Sequence, residues 1–151
     1  MASLRLVVPP ARVVIVTLWA GSLWAVGYLV APVLFATLAD RALAGMIAGS
    51  LFSAQAWLTF ICGALLLLVL QADRAWPQRR TCQKLVLAML VCSAVGFFGL
   101  QPFMAALREA AGASGVMEGG TRTQFGLLHG LASTLYLVQS LLAVPLVLKS
   151  R

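Results

Sequence analysis

Ionisable side chains are scarce in this chain of 151 residues. Aspartate and glutamate together number four, histidine occurs once, and charged residues make up 10% of the sequence, whereas 62% of it is hydrophobic. A soluble core of this size needs more polar surface than such a composition provides. The composition therefore excludes a soluble globular domain and indicates an integral membrane protein.

Acidic residues are missing from the interior of the apolar runs, and the cysteines show no metal-binding spacing. The acids are Asp40, Asp73, Glu109 and Glu118, and the cysteines are Cys62, Cys82 and Cys92. Without a buried acid–base pair, the sequence offers no evident general acid or base for catalysis. Three cysteines outside any CxxC motif predict neither a disulfide framework nor a zinc module. We therefore expect no enzymatic activity and no cofactor.

Four apolar runs are long enough to cross a bilayer, which takes about 20 residues. They cover residues 13–38, 51–72, 84–107 and 123–148. They leave no room for a soluble module, so we predict a single all-α domain over residues 1–151, an integral membrane four-helix bundle. Asp40 can cap a helix that begins at Arg41, which predicts a short amphipathic segment before the second span, either at the interface or continuous with that span.

Basic residues are concentrated at one side of the predicted bundle. That side holds eight of the eleven, namely Arg5, Arg12, Arg74, Arg79, Arg80, Lys84, Lys149 and Arg151. The positive-inside rule then places both termini in the cytoplasm of a bacterial cell, with the chain in the inner membrane. These residues suit anionic headgroups on the cytoplasmic side. A nucleic-acid partner is not indicated, because no basic stripe with interleaved aromatics occurs.

Polar side chains inside the runs fall near one depth. His129, the only histidine, shares one helical stripe with Ser133, Tyr136 and Ser140, and such a stripe should face the bundle interior. Two glutamines lie at a similar depth, ~6 to 9 Å from the outer helix ends, and a tyrosine of the first run lies slightly deeper. The predicted polar intramembrane site therefore consists of His129, Gln101, Gln55, Ser133, Tyr136 and Tyr28.

Small residues near the same level are candidates for close helix packing. Gly126 and Gly130 form a small-xxx-small pair beside His129. The predicted packing glycines are Gly126, Gly130, Gly21, Gly27, Gly96 and Gly99.

The sequence is compatible with three functions for the polar residues at this depth. They could form a binding or permeation pocket that opens to the periplasm, with His129 as its titratable group and Arg41, Arg108 and Arg122 around its mouth. They could form a haem or metal site with His129 as a ligand, although a lone histidine supports this poorly. They could also form interhelical hydrogen bonds in a structural or interaction subunit, packed against a second copy or another membrane protein.

Several segments resemble the transmembrane protein 205-like family, whose bacterial members form a domain of unknown function. The similar segments are residues 122–133 (RTQFGLLHGLAS), 18–24 (LWAGSLW), 31–35 (APVLF) and 100–102 (LQP). The resemblance implies a small four-helix membrane protein, and the link of the eukaryotic namesake to platinum-drug resistance and vesicle traffic implies a role in export. Some relatives carry an acid where this chain has Gln101, so a cation pathway is less expected here. The expected function is therefore transport- or export-related.

We expect a cysteine introduced at Gly119, in the loop between the third and fourth runs, to react with a membrane-impermeant thiol reagent from the periplasmic side. The measurement compares labelling before and after permeabilisation of the inner membrane. Labelling that requires permeabilisation would contradict the assigned orientation.

Overall fold

The computed structural model describes residues 2–110 and 119–150, and within these ranges it is helical apart from the turns between helices. Helix α1 consists of Ala2–Trp24, Ala25–Val30 and Ala31–Thr37, and α2 is Arg41–Ala72. Helix α3 consists of Arg79–Ala94, Val95–Leu100 and Gln101–Ala110, and α4 is Gly119–Lys149. Each is long and apolar enough to cross a membrane, with a mean hydropathy of 1.9 to 2.0 in its most apolar stretch. The predicted bundle of four apolar helices is confirmed.

The segment before the second span is the beginning of α2 itself. Asp40 caps the helix, because its Oδ1 accepts hydrogen bonds from the backbone N–H groups of Ala42 at 2.8 Å and Leu43 at 3.1 Å. The helix then continues without a break to Ala72. At 1.5 Å per residue it is ~48 Å long, which exceeds the ~30 Å hydrocarbon core. Its first turns therefore extend beyond the hydrocarbon or are accommodated by tilt.

Two π-helical turns interrupt α1 and α3 just before a proline. Ala31, which precedes Pro32, donates its backbone N–H to Val26, and Gln101, which precedes Pro102, donates to Gly96. A proline ring collides with the carbonyl four residues earlier in an α-helix, and a wider turn relieves that collision. Such bulges often occur at functional sites. In this chain both lie in the halves of α1 and α3 that surround a cavity.

The helices pack as a square in which α1 and α3 each contact both α2 and α4. The apolar core lies towards one end of this square, which we call the closed end. It is formed by Val16, Trp19, Ala20, Leu23, Cys62, Leu66, Leu70, Cys82, Val86, Met89, Ala143 and Leu146. At the opposite end, the open end, α1 and α3 terminate and α2 and α4 begin. Fewer side chains are buried there, so the bundle is packed unequally along its length.

A buried arginine joins three parts of the chain at the closed end. Arg12, only 5% exposed, donates from Nε to the carbonyl oxygen of Ser150 at 2.9 Å and from Nη1 to Oδ2 of Asp73 at 3.2 Å. Its guanidinium also lies 3.7 Å from the centre of the Trp76 ring. A buried charge is tolerated only where such partners replace water. We call this group, Arg12, Asp73, Trp76 and Ser150, the arginine clasp.

The backbone at the start of α4 affects the choice of a labelling position. Gly119 has φ of +50°, a conformation that side chains disfavour. Gly120 has a negative φ and open space where a Cβ would stand. A cysteine at Gly120 therefore reports on the same loop end without strain.

Replacement of Arg12 by Met should lower the free energy of unfolding by about 1–3 kcal/mol, because Asp73 and the Ser150 carbonyl lose a charged partner in a buried setting. The measurement is an SDS titration in mixed micelles. Arg80→Met is the matched control, since Arg80 is exposed at the same end. Equal effects of the two substitutions would show that the clasp contributes nothing specific.

Candidate functional site

A cavity of about 1050 Å³ occupies the open end of the bundle, and all four helices contribute to its wall. Arg41, Arg108 and Arg122 stand at its rim, near the ends of their helices, and Thr59 and Gln139 stand at its floor. The distance along α2 from Arg41 to Thr59, at the helical rise of ~1.5 Å per residue, gives the cavity a depth of ~27 Å. Pockets for small organic molecules are typically ~300 to 1000 Å³. The cavity is therefore large enough to hold a drug-sized molecule.

The structure places all six residues of the sequence-predicted site on the wall of this cavity. They are Tyr28, Gln55, Gln101, His129, Ser133 and Tyr136. They do not bond one another there, because several already have other partners. Gln101 donates to the Ser53 hydroxyl at 2.5 Å, and Gln55 donates to the Ser22 hydroxyl at 3.2 Å.

In the part of the chain that the structure describes, there is no interhelical hydrogen bond at His129, one of the three alternatives that the sequence left open for the polar residues at this depth. Among the described residues it forms no hydrogen bond with either glutamine, and its ring instead stacks on Phe125 with centroids 6.0 Å apart. Its side chain is exposed and lines the cavity. His129 is thus a wall residue available to an occupant rather than a contact between helices.

The hydrogen-bonded layer lies deeper, at the cavity floor, and takes one residue from each helix. The Thr59 hydroxyl oxygen accepts from Nε1 of Trp19 at 3.0 Å and from Nε2 of Gln139 at 3.4 Å. The Ser93 hydroxyl donates to Oε1 of Gln139 at 3.2 Å. Trp19 and Thr59 are fully buried. This floor layer, Trp19, Thr59, Ser93 and Gln139, separates the packed closed end from the hollow open end.

Sequence reasoning missed the floor layer, although one signal was present. Gln139 is an amide deep within an apolar helix, where it must find partners inside the protein. Another hydrogen bond near the floor layer joins α4 to α1: the Tyr136 hydroxyl donates to the Leu23 carbonyl at 2.6 Å. The polar stripe of α4 therefore faces the bundle, with His129, Ser133 and Tyr136 on the cavity wall and Ser140 within the packed part.

Only one of the predicted packing glycines lies at a close approach between helices. A Cβ at Gly27 would overlap the ring of Tyr136, so Gly27 lets α1 and α4 come together. No atom comes within 4 Å of a Cβ built on Gly21, Gly96, Gly126 or Gly130, and Gly99 meets only Val95 of its own helix. Within the described part of this chain these five therefore make no close approach between helices. An unpredicted close approach occurs at Gly63, where a Cβ would stand 2.6 Å from Leu90.

The cavity rim is positively charged. Its three arginines come from α2, α3 and α4, and no Asp or Glu of the described residues lines the wall. Arg108 extends across the rim, with its guanidinium carbon 5.2 Å from the centre of the Phe125 ring. A cleft with charge of one sign and low-dielectric walls concentrates ions of the opposite sign. The rim is therefore suited to anionic groups. Within residues 2–110 and 119–150, no three His, Cys, Asp or Glu side chains are grouped to hold a metal ion.

Replacement of Thr59 by Val should lower the free energy of unfolding by at least about 1 kcal/mol, because it keeps the side-chain shape but leaves two buried donors unpaired. The control is Thr134→Val, since Thr134 is exposed and bonds only the Gly130 carbonyl of its own helix. Unfolding in SDS distinguishes them. If both variants unfold alike, the floor layer does not hold the helices together.

A comparison with known protein families gives one match. Residues 14–113, which cover α1 to α3 from Val14 onward, match the model of a domain of unknown function, DUF4149. No curated protein matches the chain, and no solved structure matches it either. The matched range makes up most of the chain. It includes Tyr28, Gln55 and Gln101 of the cavity wall. The protein therefore belongs to the DUF4149 family, a family defined by a domain of unknown function.

Proposed function

We propose that this multi-pass membrane protein binds a small organic molecule in its cavity and takes part in the transport or export of that molecule. The main support for this proposal is the unequal packing of the bundle. One end contains a cavity of about 1050 Å³, and the other is filled by the apolar core. A protein that only held its helices together would have no need of so large a space lined by all four of them. The proposed role is binding and passage rather than catalysis.

The direction of access follows from the charges. The basic residues at the closed end, including Arg74, Arg80 and Lys84, favour the cytoplasmic side of a bacterial inner membrane and its anionic headgroups. Both termini then lie in the cytoplasm, and the cavity opens to the periplasm. Because the floor layer and the arginine clasp close the opposite end, we propose that this conformation is an outward-open state. The resemblance to the transmembrane protein 205-like family supports a role in export.

The second candidate is an interaction subunit, and the glycines of α4 favour it. Gly126 and Gly130 are exposed on the outside of the bundle, next to exposed Leu127 and Leu131. A small-xxx-small face of this kind lets another helix approach closely. The partner would be a second copy of the chain or another membrane protein. In that case the cavity would have no occupant, and access to its floor would not matter.

Cys92 offers a native reporter of access, because it lines the cavity next to the floor residue Ser93. In a Cys62→Ala/Cys82→Ala background, we expect Cys92 to react with a small membrane-impermeant thiosulfonate added from the periplasmic side of intact cells. Gly45→Trp should slow this reaction about tenfold or more, because Gly45 lines the cavity and has open space for a larger side chain. The readout is the fraction of modified protein over time.

The matched control is Gly21→Trp, which also enters open space but is not part of the cavity wall. It should leave the labelling rate unchanged. Labelling of Cys92 only from the cytoplasmic side would contradict the proposed orientation. An unreactive Cys92 in a folded protein would contradict an open cavity and favour the interaction subunit.

A further inference from the structure

We infer that the occupant of the cavity is an anionic amphiphile, a molecule with one phosphate or carboxylate group held at the rim and an apolar chain that extends towards the floor. This inference rests on the proposed function and names the ligand class for the same site. It follows from how charge, hydrogen-bonding groups and apolar surface are distributed along the depth of the cavity.

The rim supplies the site for the anionic group. Arg41, Arg108 and Arg122 project from three different helices onto one opening. Guanidinium groups match the oxygen pairs of phosphate and carboxylate and bind them through two parallel hydrogen bonds. The described part of the wall holds no carboxylate beside these guanidinium groups, so they remain able to bind an anionic ligand. His129 lies on the same side, about two turns deeper than Arg122 along α4, where it can donate a further hydrogen bond.

Arg108 is the best positioned of the three. Its guanidinium rests against the Phe125 ring and lies 3.6 Å from where a Cβ of Gly49 would stand. Arg108 thus lies across the rim between α2 and α4. Such a supported guanidinium loses less conformational freedom when it binds an anion than an unsupported one does.

Below the rim, most amide and hydroxyl groups are already bonded within the protein. Gln101 donates to Ser53, Gln55 to Ser22, and Tyr136 to a backbone carbonyl. The floor residues bond one another in the same way. A polar ligand such as a sugar would lose its hydration at this depth and gain few hydrogen bonds in return. The interior is therefore suited to an apolar chain.

The walls provide matching apolar surface. Phe52 packs edge-on against the ring of Tyr136 with centroids 5.1 Å apart, and Phe97 and Met104 line the α3 side. The flexible methionine and the aromatic faces adapt to a chain of methylene groups. A bare inorganic anion would fill only a small part of about 1050 Å³. The volume and the walls thus favour a headgroup with a chain over a headgroup alone.

Protection of Cys92 from N-ethylmaleimide, a neutral reagent, tests the ligand class. The protein carries Cys62→Ala and Cys82→Ala and is held in phosphatidylcholine nanodiscs. Four probes are compared. Oleoyl lysophosphatidate has an apolar chain and a charged headgroup, and monooleoylglycerol has the same chain without the charge. Glycerol 3-phosphate and inorganic phosphate have the charge without the chain. We expect only lysophosphatidate to slow the reaction, by about tenfold or more at saturation. A cysteine at Gly120, outside the cavity wall, should react at an unchanged rate throughout.

Variants at the rim identify the anion-binding groups. Arg108→Gln and Arg41→Gln should each raise the lysophosphatidate concentration for half protection about tenfold or more, and Arg108→Lys should restore part of the effect. Arg80→Gln, at the closed end, should leave it unchanged. An unaltered labelling rate without probe shows that each variant is folded.

The remaining outcomes separate the two proposals. Equal protection by monooleoylglycerol would overturn the anionic headgroup, and equal protection by glycerol 3-phosphate or phosphate would overturn the apolar chain. Both results would leave an outward-open binding cavity in place. Reactive Cys92 without protection by any probe would overturn the ligand class alone. Failure of Cys92 to react at all would overturn the proposed function itself.

Discussion

The hydrogen bonds that meet at Thr59 hold all four helices at one level. Trp19 and Gln139 both donate to this hydroxyl, and Ser93 is joined to it through Gln139. In a bilayer these groups have no water to bond, so they stay paired wherever the bundle is assembled. On one side of this layer the helices are packed by Leu66, Met89 and their neighbours, and on the other side they enclose a cavity. The division of the molecule into two halves depends on this layer.

The shape of the open half follows from the backbone of α1 and α3. Each helix contains a π-turn before a proline, and both irregular segments contribute residues to the cavity wall, among them Tyr28 and Phe97. Regular α-helices at those positions would conflict with Pro32 and Pro102. The prolines therefore account for backbone irregularity on two opposite corners of the square. The rim arginines lie around the opening that the ends of the helices leave between them.

The sequence predicted the elements better than their lateral arrangement. Hydropathy and the Asp40 cap located the four helices, because burial in lipid depends on composition alone. The depth of Gln55, Gln101 and His129 also followed from counting residues along a helix. Their partners did not follow, because a bond such as that between Gln101 and Ser53 depends on how each helix is rotated about its axis. The glycines show the same limit. A small-xxx-small pattern indicates that another helix can approach closely, but it does not indicate which helix does so.

The arginine clasp also constrains how the protein is assembled. Its members come from α1, from the turn between α2 and α3, and from the residue that follows α4. During synthesis Arg12 therefore emerges well before the carbonyl of Ser150 that it bonds. Until α4 has been made and inserted, the guanidinium has to remain at the membrane surface, where water and lipid phosphates can solvate it. Packing of the closed end is thereby coupled to completion of the fourth helix, so a nascent bundle stays unsealed until all four helices are present.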